Sequence, residues 1–203
     1  MPKITMTEKL KMTNVNKNLE SYIKVYKNRI PVSLMEKTLE TLQNVPWEQH
    51  TFYDVQQDKF APRVGDAELD VFHSKQNEVV DELMGITWGV IENYIKDLNF
   101  PWLSAWNGFT PLRFNRYKEG REMDLHCDHI QSMFDGERRG IPTLSIVAAL
   151  DNDYEGGDFV MFEDLPIRLE AGSYLVFPSN FLYPHRVVPV TKGERNTFVS
   201  WVW

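Results

Sequence analysis

His126-Cys127-Asp128, answered by His185 and Arg195 across a stretch that runs on to Trp201, is the part of the chain that decides how it folds. A carboxylate and two imidazoles are the set that holds a divalent iron on one face, leaving the opposite positions open. On a strand, residues two apart face the same side, so His126 and Asp128 reach one ion while Cys127 points away. The third ligand then needs only to lie on a strand packed opposite. Ten residues beyond His185, Arg195 offers a planar, permanently charged fork suited to a carboxylate.

Outward from this stretch the chain is written in short β-branched or aromatic runs separated by Gly, Pro, Asn and Asp: 109–117, 143–150, 159–163, 173–177, 185–190 and 197–202. Upstream, Ile23 and Val25 alternate with polar residues and suggest a short strand over 21–26. Ser33 and Glu36 form a capping box for a helix whose Met35, Leu39 and Leu42 share one face and which ends near 44–46. A second helix is expected to start at Ser74 and reach about Leu98, with Val79, Leu83, Val90, Tyr94 and Leu98 toward the core. Its Gly85 and Gly89 lower helical propensity and are expected to let a strand approach closely. Residues 47–73 lack a steady period and carry Trp47, Phe52, Tyr53, Phe60 and Phe72, which reads either as a binding loop or lid, with room for a hairpin, or as a plain surface excursion.

Two helices followed by many antiparallel-looking strands imply a mainly β fold, a double-sheet barrel with the two helices of the N-terminal half buttressing one outer face. No repeat, low-complexity tract or linker divides the chain. One domain over 1–203 is therefore expected, with 1–19 a loosely docked tail and 109–203 the core carrying the site.

Composition bounds the function. A chain of 203 residues, 42% hydrophobic, can bury a sizeable core. A formal charge of -7 and a pI near 5.3 argue against a nonspecific nucleic-acid binder, which needs a basic patch. One cysteine permits no intramolecular disulfide, and the Lys-rich N-terminus has no apolar run of the signal-peptide or membrane-spanning kind, so a cytoplasmic protein without a membrane segment is expected.

Asn115-Arg116-Tyr117-Lys118-Glu119-Gly120, His126-Cys127-Asp128, Gly156-Gly157-Asp158-Phe159, Ala171-Gly172-Ser173, Phe177-Pro178-Ser179 and the run from His185 to Trp201, taken in this order, resemble the Fe(II)/2-oxoglutarate-dependent oxygenases. More narrowly they are similar to the prolyl 4-hydroxylase-like branch, over roughly residues 20–203 and most strongly from 109 onward. The resemblance implies a double-stranded β-helix (jelly roll, cupin-like) and a set of roles. His126, Asp128 and His185 would be the iron ligands, 2-oxoglutarate would chelate the iron, and O₂ would take the remaining position. Arg195 would bind the distal carboxylate of 2-oxoglutarate, and the Tyr117 hydroxyl would bond the cosubstrate near its other carboxylate. Asn115 shares the parity of Tyr117 and is expected to face the same cavity.

Further roles follow from the same resemblance. Trp201 would line the floor of the site, with Trp203 of the same parity, and Phe159 would project toward the cosubstrate pocket. Some prolyl hydroxylases have a second tyrosine near the position of Ala149; here Ser145 or Thr197 is expected to supply the missing hydroxyl. Met123 stands where some relatives have a tyrosine that contacts the target proline. His129 follows the motif closely but has the wrong parity for a ligand, and Cys127 reads as structural.

The implied reaction couples oxidative decarboxylation of 2-oxoglutarate, to succinate and CO₂, to hydroxylation of a C–H bond in a prolyl-containing protein or peptide, with a reductant such as L-ascorbate assisting. An alkylated nucleic-acid demethylase is the second enzymatic reading, opposed by Trp201 where that branch has a second arginine and by the acidic charge. A free amino acid or other small molecule is the third substrate class. A metal-binding jelly-roll interaction module without turnover is the non-enzymatic reading, since a fold by itself does not decide function.

Overall fold

Alternation along the last strand, β15 (Arg195–Val202), sets the architecture. Its Val199 and Trp201 enter a cluster shared with an opposing sheet, whereas Phe198 and Val202 enter a second cluster shared with the helices. The period of two thus sends successive side chains into two different cores. The computed structural model describes residues 18–54, 56–100, 103, 106–128 and 142–203.

In chain order the structure presents β1 (Lys24–Tyr26), α1 (Val32–Leu42), β2 (Glu48–Gln49), β3 (Phe52–Asp54), β4 (Lys59–Ala61), β5 (Asp70–His73) and α2 (Glu78–Leu98). There follow β6 (Arg113–Tyr117), β7 (Met123–His126), β8 (Leu144–Ala149), β9 (Tyr154–Gly156), β10 (Phe159–Met161) and β11 (Leu165–Ile167). The last are β12 (Tyr174–Pro178), β13 (His185–Val187), β14 (Val190–Gly193) and β15. A seven-stranded sheet runs β1-β12-β8-β15-β6-β5-β2 and a four-stranded sheet runs β11-β10-β13-β7. Pairings within both sheets are antiparallel. Tyr117, Val147, Leu175 and Trp201 of the large sheet cluster with Met123, Phe159, Met161 and Val187 of the small one. This is the two-sheet jelly roll, mainly β, with α1 and α2 packed on the outer face of the large sheet through Leu34, Leu83, Ile91 and Tyr94.

Several local expectations are corrected. Ser33 is not a cap: α1 begins directly after Pro31, whose fixed φ suits a helix start, and no side chain caps it. The second helix starts at Glu78 instead of Ser74, because Asn77 supplies the N-cap by accepting from Val80 N at 3.0 Å. Gly85 and Gly89 have nothing within 4 Å of where a Cβ would lie, so no strand approaches them. Residues 47–73 are no plain excursion. They hold two strands of the large sheet and the β3–β4 hairpin. The run 185–190 divides into β13 and β14, and 159–163 ends at Met161 because Phe162 and Glu163 turn with positive φ. Of the expected tail, Leu19 opens a 3-10 turn over Leu19–Tyr22 capped by Asn18; positions 1–17 and His129 lie outside the described residues. Among the described residues no helix is long and apolar enough to cross a membrane.

Candidate metal and cosubstrate site

β7 and β13 are neighbours in the small sheet, and His126 stands opposite His185 in their register. Asp128 follows β7 by two residues, so its carboxylate meets both imidazoles. Nε2 of His126 is 3.5 Å and Nε2 of His185 is 3.7 Å from the same Oδ1 of Asp128. One ligand atom from each of the three lies within 4.8 Å of the others, an arrangement that could hold a metal ion. The remaining ring nitrogens are engaged: His126 Nδ1 is 2.8 Å from Asp124 O, and His185 Nδ1 is 3.1 Å from Tyr183 O. A carbonyl only accepts, so each Nδ1 carries the proton and each Nε2 presents a lone pair, the tautomer a metal needs.

Asp128 is held from behind. Ser145 Oγ is 2.6 Å from its Oδ2 and 2.8 Å from Ser179 Oγ, and Ser179 Oγ is 3.1 Å from the Asp128 carbonyl. Burial pushes the Asp128 carboxyl up, but at acid pH, where the imidazoles carry charge, the His185 charge, the His126 bond and charge and the Ser145 bond outweigh it and hold the group well below the usual carboxylate range. Burial, joined by the neighbouring His126 charge, lowers His185 to about 4, so it is neutral at neutral pH. Phe159 stacks on the His185 ring at 5.0 Å, and the ring of Phe52 on β3 meets His126 edge-on at 5.5 Å.

The cavity in front of these groups is walled by Arg113, Tyr117, Met123, Phe159, Arg195, Thr197, Val199 and Trp201. Arg195 opens β15 opposite Tyr117, is 2% exposed, and leaves Nε and Nη1 buried without a hydrogen-bond partner. Thr197 Oγ1, on the same face two residues on, is likewise buried and unpartnered. Leaving such donors dry costs about 1–3 kcal/mol each, more for a charged group, which an anion accepting from them would relieve. This set fits a dicarboxylate reaching from the metal-ligand cluster to Arg195. The free space before the ligands is about 20 Å³, room for about one water, and a second cavity of about 240 Å³ shares Phe159 and Arg195 with it, so a five-carbon guest seats against the ligands by side-chain movement or by reaching into that second cavity. Met123, unbranched and adaptable, is suited to yield.

The Tyr117 hydroxyl donates to Met123 Sδ at 3.8 Å. Burial raises the Tyr117 phenol, against the opposing charges of Arg195 and Arg113, so it stays a neutral donor. Asn115 is buried, but its Oδ1 is engaged at 3.1 Å by Arg113 Nε, so it orients that arginine and does not line the cavity. Ser145 is corrected outright. It faces Trp201 in the register, not Thr197, and its hydroxyl serves Asp128, so only Thr197 stands near Arg195. Trp203 also departs from expectation, packing against Gly108 with the helix-side core. Cys127 points away, its Sγ 3.6 Å from Phe181 O.

Two features went unread in the sequence. Gly157, with φ +64, stands where a Cβ would lie 3.0 Å from Arg195 Cδ and 2.9 Å from Val190 Cγ2; the second glycine of the pair makes room for the arginine. Arg113, of the same parity as Asn115 and Tyr117, is a buried guanidinium in the cavity wall. Parity was the signal available for it.

A jelly roll that brings His126, Asp128 and His185 together beside its small sheet, with a buried arginine on the facing sheet, presents the two-histidine, one-carboxylate donor set that suits a divalent iron. The comparisons agree. Residues 112–203, a little under half of the chain, match the model of the 2OG-Fe(II) oxygenase superfamily. A PKHD-type hydroxylase of Shewanella oneidensis is 38% identical over 98 residues, 46% of this chain and 43% of that one. Another, of Alteromonas mediterranea, is 34% identical over 99 residues, 45% and 42% of the two. The aligned span is thus less than half the length of these relatives. A Pseudomonas putida prolyl-4-hydroxylase shares the fold with a TM-score of 0.62 at 19% identity, over 89% of this chain and 91% of that one. A Trichoplax adhaerens prolyl hydroxylase, solved with a peptide fragment of the hypoxia inducible factor oxygen degradation domain, does so at 0.66 and 16%, over 90% and 83%.

Proposed function

We propose that the protein is an Fe(II)- and 2-oxoglutarate-dependent dioxygenase that hydroxylates a prolyl residue in a protein or peptide. The observation that carries this is the buried pair of recognition elements in one cavity: His126, Asp128 and His185 converging at one end, and Arg195 with unpartnered Nε and Nη1 at the other. Bound iron, 2-oxoglutarate and O₂ supply the oxidising chemistry, with succinate and CO₂ as the by-products.

The chain's own residues do the rest. Asp124 O and Tyr183 O orient the two imidazoles, and Ser145 keeps Asp128 turned so that Oδ1 faces the two Nε2 atoms with which it would hold the metal. Arg195, helped by Thr197, catches the distal carboxylate, and Tyr117 offers its hydroxyl to the cosubstrate in exchange for a weak thioether bond. Phe52, on the hairpin above His126, and Trp201 on the opposite wall keep water from the reacting centre and frame the target. L-ascorbate, or another reductant, serves to keep the iron ferrous.

The peptide substrate is favoured by the names of the relatives and by the shared fold with prolyl hydroxylases. Purified protein incubated with Fe(II), 2-oxoglutarate and O₂ should release succinate, and proline-containing peptides should gain one oxygen by mass spectrometry. Absence of both, with protein that has been given iron and remains folded, overturns the reading. Methyl loss from methylated oligonucleotides would replace it with the demethylase.

A further inference from the structure

Arg113 opens β6 and is 9% exposed, in the wall of the metal cavity. Its guanidinium carbon lies 5.0 Å from the centre of the Trp201 ring, and its Nε donates to Asn115 Oδ1 at 3.1 Å. Stacking on one side and a side-chain acceptor at the neck fix the plane of the fork and leave its two terminal nitrogens for something else. Among the described residues no carboxylate pairs with it within 4.0 Å. The Asp128 carboxylate acts on it electrostatically across the cavity, but a metal would claim that carboxylate; a neutral proline ring against a wall needs no cation, and a buried guanidinium without a carboxylate of its own is costly.

The cosubstrate does not account for it. In the β6–β15 register Tyr117 faces Arg195, while Arg113 faces Val199 at the other end of the strand, about 13 Å away at the usual rise per residue. A dicarboxylate whose far end lies in the Arg195 fork uses its near end on the ion. Arg63 stands exposed beside the Phe52 ring that meets His126, its guanidinium carbon 4.1 Å from the Phe52 ring centre and its Nη1 donating to Leu125 O at 3.4 Å, and among the described residues it too lacks a carboxylate partner. The acidic side chain beside it, Glu68, spends Oε2 on the backbone N–H groups of Arg63 and Val64. One arginine is thus buried in the cavity wall and another is exposed beside the ring that covers His126, in a chain whose net charge of -7 repels anions at long range.

We propose that Arg113 is a substrate-recognition residue that binds a carboxylate of the primary substrate, so that the target proline sits next to an acidic residue, with Arg63 receiving the peptide at the rim. This rests on the prolyl hydroxylase reading and names the substrate class for it.

The test uses the full chain loaded with Mn(II) and 2-oxoglutarate without O₂, and three blocked peptides that differ only in the residue beside one proline: Gly, Asp or Lys. Calorimetric titration should give the Asp peptide about tenfold tighter binding than the Gly peptide and the Lys peptide the weakest. Arg113→Met should bring the Asp-to-Gly ratio close to one, and Arg113→Lys should restore part of it. With Fe(II) and O₂ the same ordering should appear in the peptide KM. Equal binding of the three peptides by the wild type overturns the Arg113 assignment, and if the peptides are still hydroxylated the prolyl hydroxylase reading stands. An Asp preference that survives in Arg113→Met, with the 2-oxoglutarate requirement raised, overturns it in favour of a cosubstrate role. Failure of the wild type to bind Mn(II) or 2-oxoglutarate removes the underlying reading itself.

Discussion

The Ser145 hydroxyl lies 2.6 Å from Oδ2 of Asp128, joining the large sheet to the residue that would carry a metal on the small one. A hydroxyl bond to a buried carboxylate is a strong one, and it leaves Oδ1 as the oxygen nearest both imidazoles. Ser145→Ala should therefore weaken Mn(II) binding by roughly 10- to 100-fold, the usual scale for losing an orienting partner of a ligand. Titration followed by electron paramagnetic resonance measures it. Unchanged affinity would mean Asp128 is held by other groups.

Arg195→Lys keeps a charge and loses the fork. The 2-oxoglutarate requirement should rise roughly 10- to 100-fold, the loss of one or two charge-assisted hydrogen bonds, while Mn(II) still binds. The concentration dependence of succinate release reads the first quantity and metal titration the second. If Mn(II) binding is lost along with cosubstrate affinity, the substitution has disturbed the fold and not the carboxylate site alone.

Gly157 and Gly120 form a matched pair, both with positive φ, but only Gly157 faces crowding. Each alanine substitution should cost about 1–2 kcal/mol from the backbone alone. Gly157→Ala should cost more and should also raise the 2-oxoglutarate requirement, because the new methyl displaces Arg195. Thermal melts of the two variants beside their cosubstrate dependence separate these effects.

Asp151 gives the fold a pH signature away from the metal ligands. Burial raises its carboxyl to about 6, against the bonds from Asn196 N and Nδ2 and the Arg195 charge. A folded pKa above the unfolded value near 3.8 contributes stability that is complete below about pH 4 and is lost as pH rises through about 6. The contribution should amount to at most about 3 kcal/mol. Urea unfolding of wild type and Asp151→Asn at pH 4.5 and 7.5 should show the wild type losing ground relative to the variant at the higher pH. A constant difference between the two would mean Asp151 titrates normally.

Much of the fold was legible in the chain, for local reasons. The period of two along 195–202, the shared parity of His126 and Asp128, and the recurrence of Val79, Leu83, Val90 and Tyr94 on α2 follow from backbone geometry alone, and the structure puts the side chains on the faces so read. Helix starts were less legible because capping competes. Ser33 and Glu36 have the right spacing, yet Pro31 already sets the first turn. The β3–β4 hairpin and the short β2 hold too few residues each to set a period.

Chain order and alternation, then, determined a β-rich double-sheet barrel, its two buttressing helices and the residues able to share a face. Which hydroxyl meets Asp128, which arginine lies bare in the wall and which glycine clears space for Arg195 were decided only when strands distant in sequence came together. The physical reason is that parity settles the side of a sheet on which an atom lies, whereas its partner depends on register and packing between sheets, quantities that no single strand contains.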